Sequence, residues 1–365
     1  MHRRTFLQAS LAVSTTAAFS TLPRLARANT EMSGKWRVFE VTTQVEVLKP
    51  AGVTRVWLPM PLAEDTPYQK GLGSTWKADG ATLSAGQEAK FGAAFVFAEW
   101  PDGVENPTLE LTSRIATRDR MVDLAKPGTV PKADPKTLTL YTEPTELLPT
   151  DGIVKDTAQK IVKDVRGSQL EQARAIYEWV VDNTFRDPKT RGCGVGDIKA
   201  MLETKNLGGK CADLNALFVG LCRAAGIPAR DVYGVRLATS ALGFKSLGKS
   251  GDITKAQHCR AEFYLDGHGW VPVDPADVRK VVLEEQPNLT LHDEIVKRAR
   301  AFLFGGWEMN WMAYNYAHDL ILPQTTRGKL GFLMYPQAET AEGRLDSLDA
   351  ENFRYTMTSR ELGTV

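Results

Sequence analysis

The chain has 365 residues, 45 lysines and arginines against 44 aspartates and glutamates, 43% hydrophobic residues and four cysteines. That length suits two ordinary globular domains, and the near-zero charge argues against nucleic acid or anionic lipid as a partner, because phosphate binding needs a basic face that overall charge usually betrays. Four cysteines are too few for a dense disulfide framework, and no run of about 18 apolar residues is available to span a membrane.

Arg3-Arg4-Thr5-Phe6-Leu7 precedes a mildly apolar stretch from Ala9 to Ser20, and Ala26-Arg27-Ala28 supplies the small residues a signal peptidase needs. The pattern resembles a bacterial twin-arginine signal, with His2 where serine or threonine is common and Gln8 where lysine is common. Residues 1–28 are read as this signal, removed near Ala28, and the mature protein is expected in the periplasm. Without the four signal arginines the chain carries 41 basic and 44 acidic residues, so a basic patch could only be local.

From Trp36 to Leu48 the residues Phe39, Val41, Thr43, Val45 and Val47 alternate on one face, and similar runs follow at Val53–Leu58, Ala93–Trp100 and Leu109–Thr117. Short alternating segments separated by glycine, proline and polar turns predict an antiparallel β domain over 29–125, a small sandwich. Five prolines between Lys126 and Asp151 mark 126–151 as a linker. Residues 152–365 are assigned to one catalytic domain. Its predicted helices are an amphipathic one through Ile153, Ala158 and Ile161, a second opened by the capping box Ser168-Gln169-Leu170-Glu171, and a short third capped by Asp197.

Gly208-Gly209-Lys210-Cys211 then delivers a cysteine to the start of a fourth helix, whose apolar residues Leu214, Leu217, Phe218, Leu221 and Cys222 recur until Gly226-Ile227-Pro228. The unpaired amides and positive dipole end of a helix N-terminus stabilise a thiolate, and Lys210 pushes the same way. Strands are predicted at Arg230–Leu237, His258–Leu265 and Trp270–Asp274, followed by a helix after Leu289 and strand candidates at Trp307–Tyr316, Gly331–Tyr335 and Phe353–Thr358. Helices followed by antiparallel strands give an α+β core, with the site expected where the two layers meet.

Acyl transfer through a thiol needs a thiolate, a base that can return its proton, and a group that fixes the base's tautomer. Cys211, His258 and Asp274 supply one of each in chain order. A hairpin turning at Asp266-Gly267-His268-Gly269 pairs His258 nearer to Asp277 than to Asp274, so geometry alone leaves Asp277 as a rival third member. Cys222 reads as a core residue, and Cys193 with Cys259 is the one disulfide pairing worth testing. No metal site or cofactor is expected: the chain has no C-x-x-C, its histidines are scattered, and Gly208-Gly209-Lys210 lacks the frame of a phosphate loop.

Three separated blocks, Gly209-Lys210-Cys211-Ala212-Asp213, His258-Cys259-Arg260-Ala261-Glu262 and Gly269-Trp270-Val271-Pro272-Val273-Asp274-Pro275, resemble the transglutaminase-like superfamily of papain-type cysteine enzymes. So does Leu217 to Arg230, the continuation of the cysteine helix. The resemblance implies a papain/transglutaminase-like core with the nucleophile helix packed on an antiparallel sheet. It implies Cys211 as nucleophile, His258 as general base and acid, and Asp274, over Asp277, as the orienting carboxylate. It further implies a peptide or protein substrate whose amide bond is opened through a Cys211 thioester, with hydrolysis preferred. Transfer to a second amine, or a binding module that keeps the fold, are the alternatives. A second oxyanion donor is implied upstream of the nucleophile, where Trp179 and Asn183 are the nearest candidates, and a cleft lined by Trp270, Arg260 and the β domain is expected.

Overall fold

The computed structural model describes residues 34–365, so the proposed signal lies outside the described residues. Strands Arg37–Val47, Thr54–Pro59, Ala94–Trp100 and Thr108–Thr117 form where alternation predicts them, and two further strands, Gln69–Lys77 and Thr82–Gln87, join them. These two are largely exposed and rich in glycine and serine, so they carry no apolar face for a sequence pattern to reveal.

The strands build two five-stranded antiparallel sheets that share one core. Val45, Val47, Leu109 and Leu111 of one sheet meet Val56, Leu58, Val96 and Trp100 of the other, as a β sandwich requires. The C-terminal strands complete this sandwich. Phe353–Thr364, assigned from sequence to the catalytic domain, lies beside Arg37–Val47, with Val45 opposite Tyr355 and Val47 opposite Phe353. Gln337–Thr340 pairs with Thr54–Pro59, whereas Gly331–Tyr335 forms no strand. Alternation identifies a strand but not its partner, because the partner lies some 300 residues away and leaves no local mark.

Residues 126–151 are partly structured. A short helix, Pro135–Leu140, is capped by Asp134, and Tyr141 and Leu148 behind it are buried. Tyr141 meets the Trp270 ring edge-on at 5.2 Å and Arg230 stacks over Trp270 at 3.9 Å, which ties this segment to the core by aromatic and cation–π contacts.

The remaining core is a layer of helices on a four-stranded antiparallel sheet, ordered Gly269–Val273, Arg260–Leu265, Ala229–Arg236, Trp311–Asn315. Helix Gly152–Val162 forms where its amphipathic period predicts it, and Gln169–Asn183 and Ile198–Thr204 start at their predicted caps: Ser168 N–H donates to Glu171 Oε2 at 2.8 Å and Asp197 Oδ1 accepts from Ala200 N–H at 2.9 Å. The central helix, Cys211–Ala224, is buried almost throughout, between the other helices and the sheet. Its residues Leu217, Phe218 and Leu221 form one apolar cluster with Val180, Phe263 and Val271, so the helix that carries Cys211 is packed against both its neighbouring helices and the sheet. None of the described helices is long and apolar enough to cross a membrane.

Candidate active site

Cys211 is the first residue of its helix, as the glycine turn predicts. The turn is fixed from an unexpected direction. Asp213 Oδ2 accepts from Lys210 N–H at 2.9 Å, and its Oδ1 accepts from Val195 N–H at 3.0 Å and Gly196 N–H at 2.9 Å. One carboxylate thus binds the loop before the helix to the loop around Cys193. The Ala212 amide adds a bond to Cys193 O at 2.9 Å. Gly194 has φ +93°, and a Cβ there would lie 1.9 Å from Asp213 Oδ2, so the approach requires glycine on both counts.

His258 lies just ahead of strand Arg260–Leu265, its backbone N–H bonded to Gly234 O at 3.0 Å and its carbonyl accepting from Trp311 Nε1 at 2.8 Å. The hairpin pairs Leu265 with Gly269 and Ala261 with Val273, a register that continued would set His258 opposite Ala276. The strand stops first. Pro275 opens helix Pro275–Glu284, with Asp274 as its N-cap, accepting from Asp277 N–H at 3.0 Å. Asp274 and Asp277 therefore share one face of a helix turn, and both reach the imidazole: Nε2 is 2.7 Å from Asp274 Oδ2 and 3.4 Å from Asp277 Oδ2.

The two carboxylates divide their work. Asp274 makes the hydrogen bond to His258 Nε2, while Asp277 Oδ1 receives Arg236 Nη2 at 2.6 Å. Asp274 is held further by Asn215, one helical turn beyond Cys211, whose Nδ2 donates to Asp274 Oδ1 at 3.2 Å and to Cys259 O at 2.9 Å. Arg260 Nε stands 3.7 Å from Asp274 Oδ2, and its guanidinium stacks at 4.7 Å on Trp311. Sequence reasoning missed Asn215; its position four residues after a nucleophile on the same helix face was the available signal.

With Nε2 committed to Asp274, Nδ1 is the nitrogen left to exchange a proton with the thiol. Cys211 is held well below the ordinary thiol range, by hydrogen bonding from the Cys193 thiol first, then from Cys259, and by the His258 hydrogen bond and charge, against the opposing effect of burial. His258 is raised: burial and Arg236 favour the neutral ring, but the charges of Asp277 and Asp274 outweigh them. Burial, then the neighbouring charge of Asp277, raises Asp274. Burial also opposes ionisation of Asp277, but the charge of Arg236 holds it below the usual carboxylate range. Both shifts run in the direction that favours a thiolate beside an imidazolium.

All four cysteines are free, and Cys193 and Cys259 are not bridged to each other. Both instead flank Cys211 in one buried cluster with Tyr233, Met334 and Tyr335. Cys222 is fully buried in the helical core, as its place on the apolar face predicts.

A cleft of about 590 Å³ opens above Cys211 and His258, walled by Tyr335, Leu348, Phe353 and Tyr355 on one side and by Gln257 and Lys255 on another. The expected walls are different. Trp270 packs on Tyr141 and Tyr264, and Arg260 is 2% exposed beneath Asp274, so neither lines the cleft. The β sandwich does contribute, through Phe353 and Tyr355. Trp179 and Asn183 lie away from the cleft, where Asn183 Nδ2 bonds to Trp179 O. His258, Asp274 and Asp277 place donor atoms within 4.8 Å of one another, a grouping that could hold a metal ion, but the Arg236 and Arg260 guanidiniums already supply its positive charge.

Residues 155–275 match the family described as the transglutaminase-like superfamily. A protein of Haemophilus influenzae described as uncharacterized is 35% identical over 367 residues, covering 95% of this chain and 98% of its own. A solved structure described as "a Putative Cysteine Protease from Cytophaga hutchinsonii" aligns at a TM-score of 0.53 and 15% identity, over 91% of this chain and 93% of that one. The periplasmic domain of TgpA from Pseudomonas aeruginosa aligns at a TM-score of 0.36 and 15% identity, over 66% of this chain and 92% of that one. The likeness to the Cytophaga protein extends through the β sandwich as well as the helical core, so the shared fold is that of the whole described chain. The chain belongs to the transglutaminase-like superfamily.

Proposed function

We propose that the protein is an exported cysteine hydrolase that opens amide bonds of peptides or proteins, with Cys211 as nucleophile, His258 as general base and acid, and Asp274 as the carboxylate that orients the imidazole. The observation that carries this is the 2.7 Å bond from His258 Nε2 to Asp274, which leaves Nδ1 for the Cys211 thiol at the floor of the cleft. The thiolate attacks the amide carbonyl, and the negative charge of the tetrahedral intermediate falls near the N-terminus of the Cys211 helix. There the Cys211 amide, with no partner among the described backbone bonds, is available to receive it. The imidazolium returns its proton to the leaving amine, and water, activated by the same imidazole, resolves the thioester.

The test is alkylation of Cys211 across pH in the wild type and in His258→Ala, followed by incubation with peptides with and without an added primary amine. Rapid alkylation below pH 7 that is lost with His258, together with a new carboxylate in the product, supports hydrolysis. Incorporated amine redirects the activity to transamidation. A Cys211 no more reactive than an exposed cysteine rules out the catalytic role.

A further inference from the structure

The chain is nearly neutral, but its cleft is not. Seven lysines and arginines line it, and no aspartate or glutamate is among its lining residues. Four carboxylates stand behind these cations: Arg186 and Lys280 share Glu284, Arg191 meets Asp346 at 2.5 Å, Arg236 meets Asp277, and exposed Lys249 is 3.9 Å from Asp252. Lys210 and Lys255 have no ion-pair partner among the described residues. Both line the same cleft as Cys211 and His258: Lys210 directly precedes Cys211, and Lys255, whose charge also reaches Asp252, precedes His258 by three residues.

We propose that Lys210 and Lys255 select an acyl donor carrying carboxylates beside the scissile amide, that is, an acidic peptide. This rests on the hydrolytic role of Cys211 and names the substrate class of that same site. A concave site with one sign of charge on low-dielectric walls focuses the field and raises the local concentration of the opposite charge. Cys211 is only 4% exposed at the bottom of the cleft, so a ligand has to reach past the cleft walls to meet it. Tyr335, Leu348, Phe353 and Tyr355 offer an apolar wall against which the backbone and aliphatic stems of such a peptide pack. A flat bilayer surface cannot enter it.

The carboxylates could be side chains or a free chain end, and the two sources are separable. Full-length Cys211→Ala protein, which binds without turnover, is titrated with three labelled hexapeptides by fluorescence anisotropy: a glutamate-rich one with blocked ends, its glutamine counterpart, and the glutamine peptide with a free C-terminal carboxylate. The expected result is binding of the glutamate peptide at least about tenfold tighter than its glutamine counterpart at low salt, a ratio that falls towards one as salt shortens the screening length to about 3 Å near 1 M. The same ratio in the peptide with a free end assigns recognition to the terminus. Lys255→Gln, alone and with Lys210→Gln, should reduce the preference to about threefold or less. Equal binding of all three peptides overturns the proposal, as does a preference that survives loss of both lysines or tighter binding of a single-stranded oligonucleotide of equal charge. The salt series on protein with both lysines keeps the test decisive if the double variant misfolds. Because these titrations involve no chemistry, their failure is distinct from failure of the wild-type protein to hydrolyse a neutral peptide.

Discussion

Asn215 donates to Asp274 Oδ1 at 3.2 Å and thereby ties the helix that begins at Cys211 to the carboxylate that bonds His258 Nε2. The same amide holds Cys259 O at 2.9 Å, and its Oδ1 accepts from Ala276 N–H at 3.4 Å, so three elements meet at one side chain. Asn215→Ala takes this partner from Cys259 O and the Ala276 amide and leaves Asp274 Oδ1 with the Asp277 amide, at about 1–3 kcal/mol. The expected outcome is a lowered melting temperature and a fall of about tenfold or more in kcat, with Cys211 alkylation still fast. A variant that loses stability but keeps full kcat would confine Asn215 to a structural role.

Asp274 and Asp277 both reach His258, but their amides should fail differently. Asp274→Asn replaces the carboxylate that stabilises the imidazolium by a neutral amide that can donate to Nε2, which leaves the ring neutral with its proton on Nδ1 and unable to take the thiol's; losses of about 10⁴ in kcat follow such a tautomer change. Asp277→Asn leaves Arg236 buried without its counter-charge, and breaking a buried pair in this way costs about 3–5 kcal/mol. The first variant should therefore be stable and inactive, the second destabilised and more active than the first, as read by thermal unfolding beside kcat. The reverse ordering would make Asp277 the orienting carboxylate.

The helix that starts at Cys211 was legible in the sequence because every cue for it is local: a glycine turn, a cysteine and an apolar helix period within 15 residues. Asp274 was harder, since hairpin register alone points past it. The cue that settles its position is Asp-Pro read as N-cap and first helical residue, which turns the chain into a helix before the register can act. Cys193 was visible only as a bridge candidate. Its place beside Cys211 depends on Asp213 gathering the Val195 and Gly196 amides across a loop, a contact that no periodicity encodes. The basic cleft was hidden for the opposite reason: whole-chain charge averages away a patch assembled from separate loops and helices.

Stability should depend on pH through this site in two separate windows. Asp277 is depressed below its unfolded value of about 3.9, so its contribution is complete above that value and is lost as pH falls through the folded one. His258 is raised above its unfolded value of about 6.5, so its contribution is complete below that value and is lost as pH rises through the folded one. Urea midpoints measured from pH 3 to pH 9 should show the gap between wild type and Asp277→Asn narrowing towards the acid end. The gap between wild type and His258→Gln should narrow towards the alkaline end. A constant gap in either series would mean that the group's proton affinity is the same folded and unfolded.

Cys193 should set the thiolate fraction of Cys211. Its S–H donates to the Gln257 carbonyl at 3.3 Å, and the Cys211 sulfur lies in the same buried cluster, so ionisation of Cys211 should draw that donor towards it, because a charged acceptor makes the stronger bond. Tyr335 packs in the same buried cluster as Cys193 and Cys211. Cys193→Ala removes this donor and should raise the apparent pKa of Cys211, slowing its alkylation by iodoacetamide at pH 6 by about 3–10-fold. Cys193→Ser restores a hydroxyl donor and should recover most of the rate, which a packing defect would not do. If alanine and serine slow the reaction equally, Cys193 acts through its volume, and the low pKa of Cys211 belongs to the helix terminus and His258.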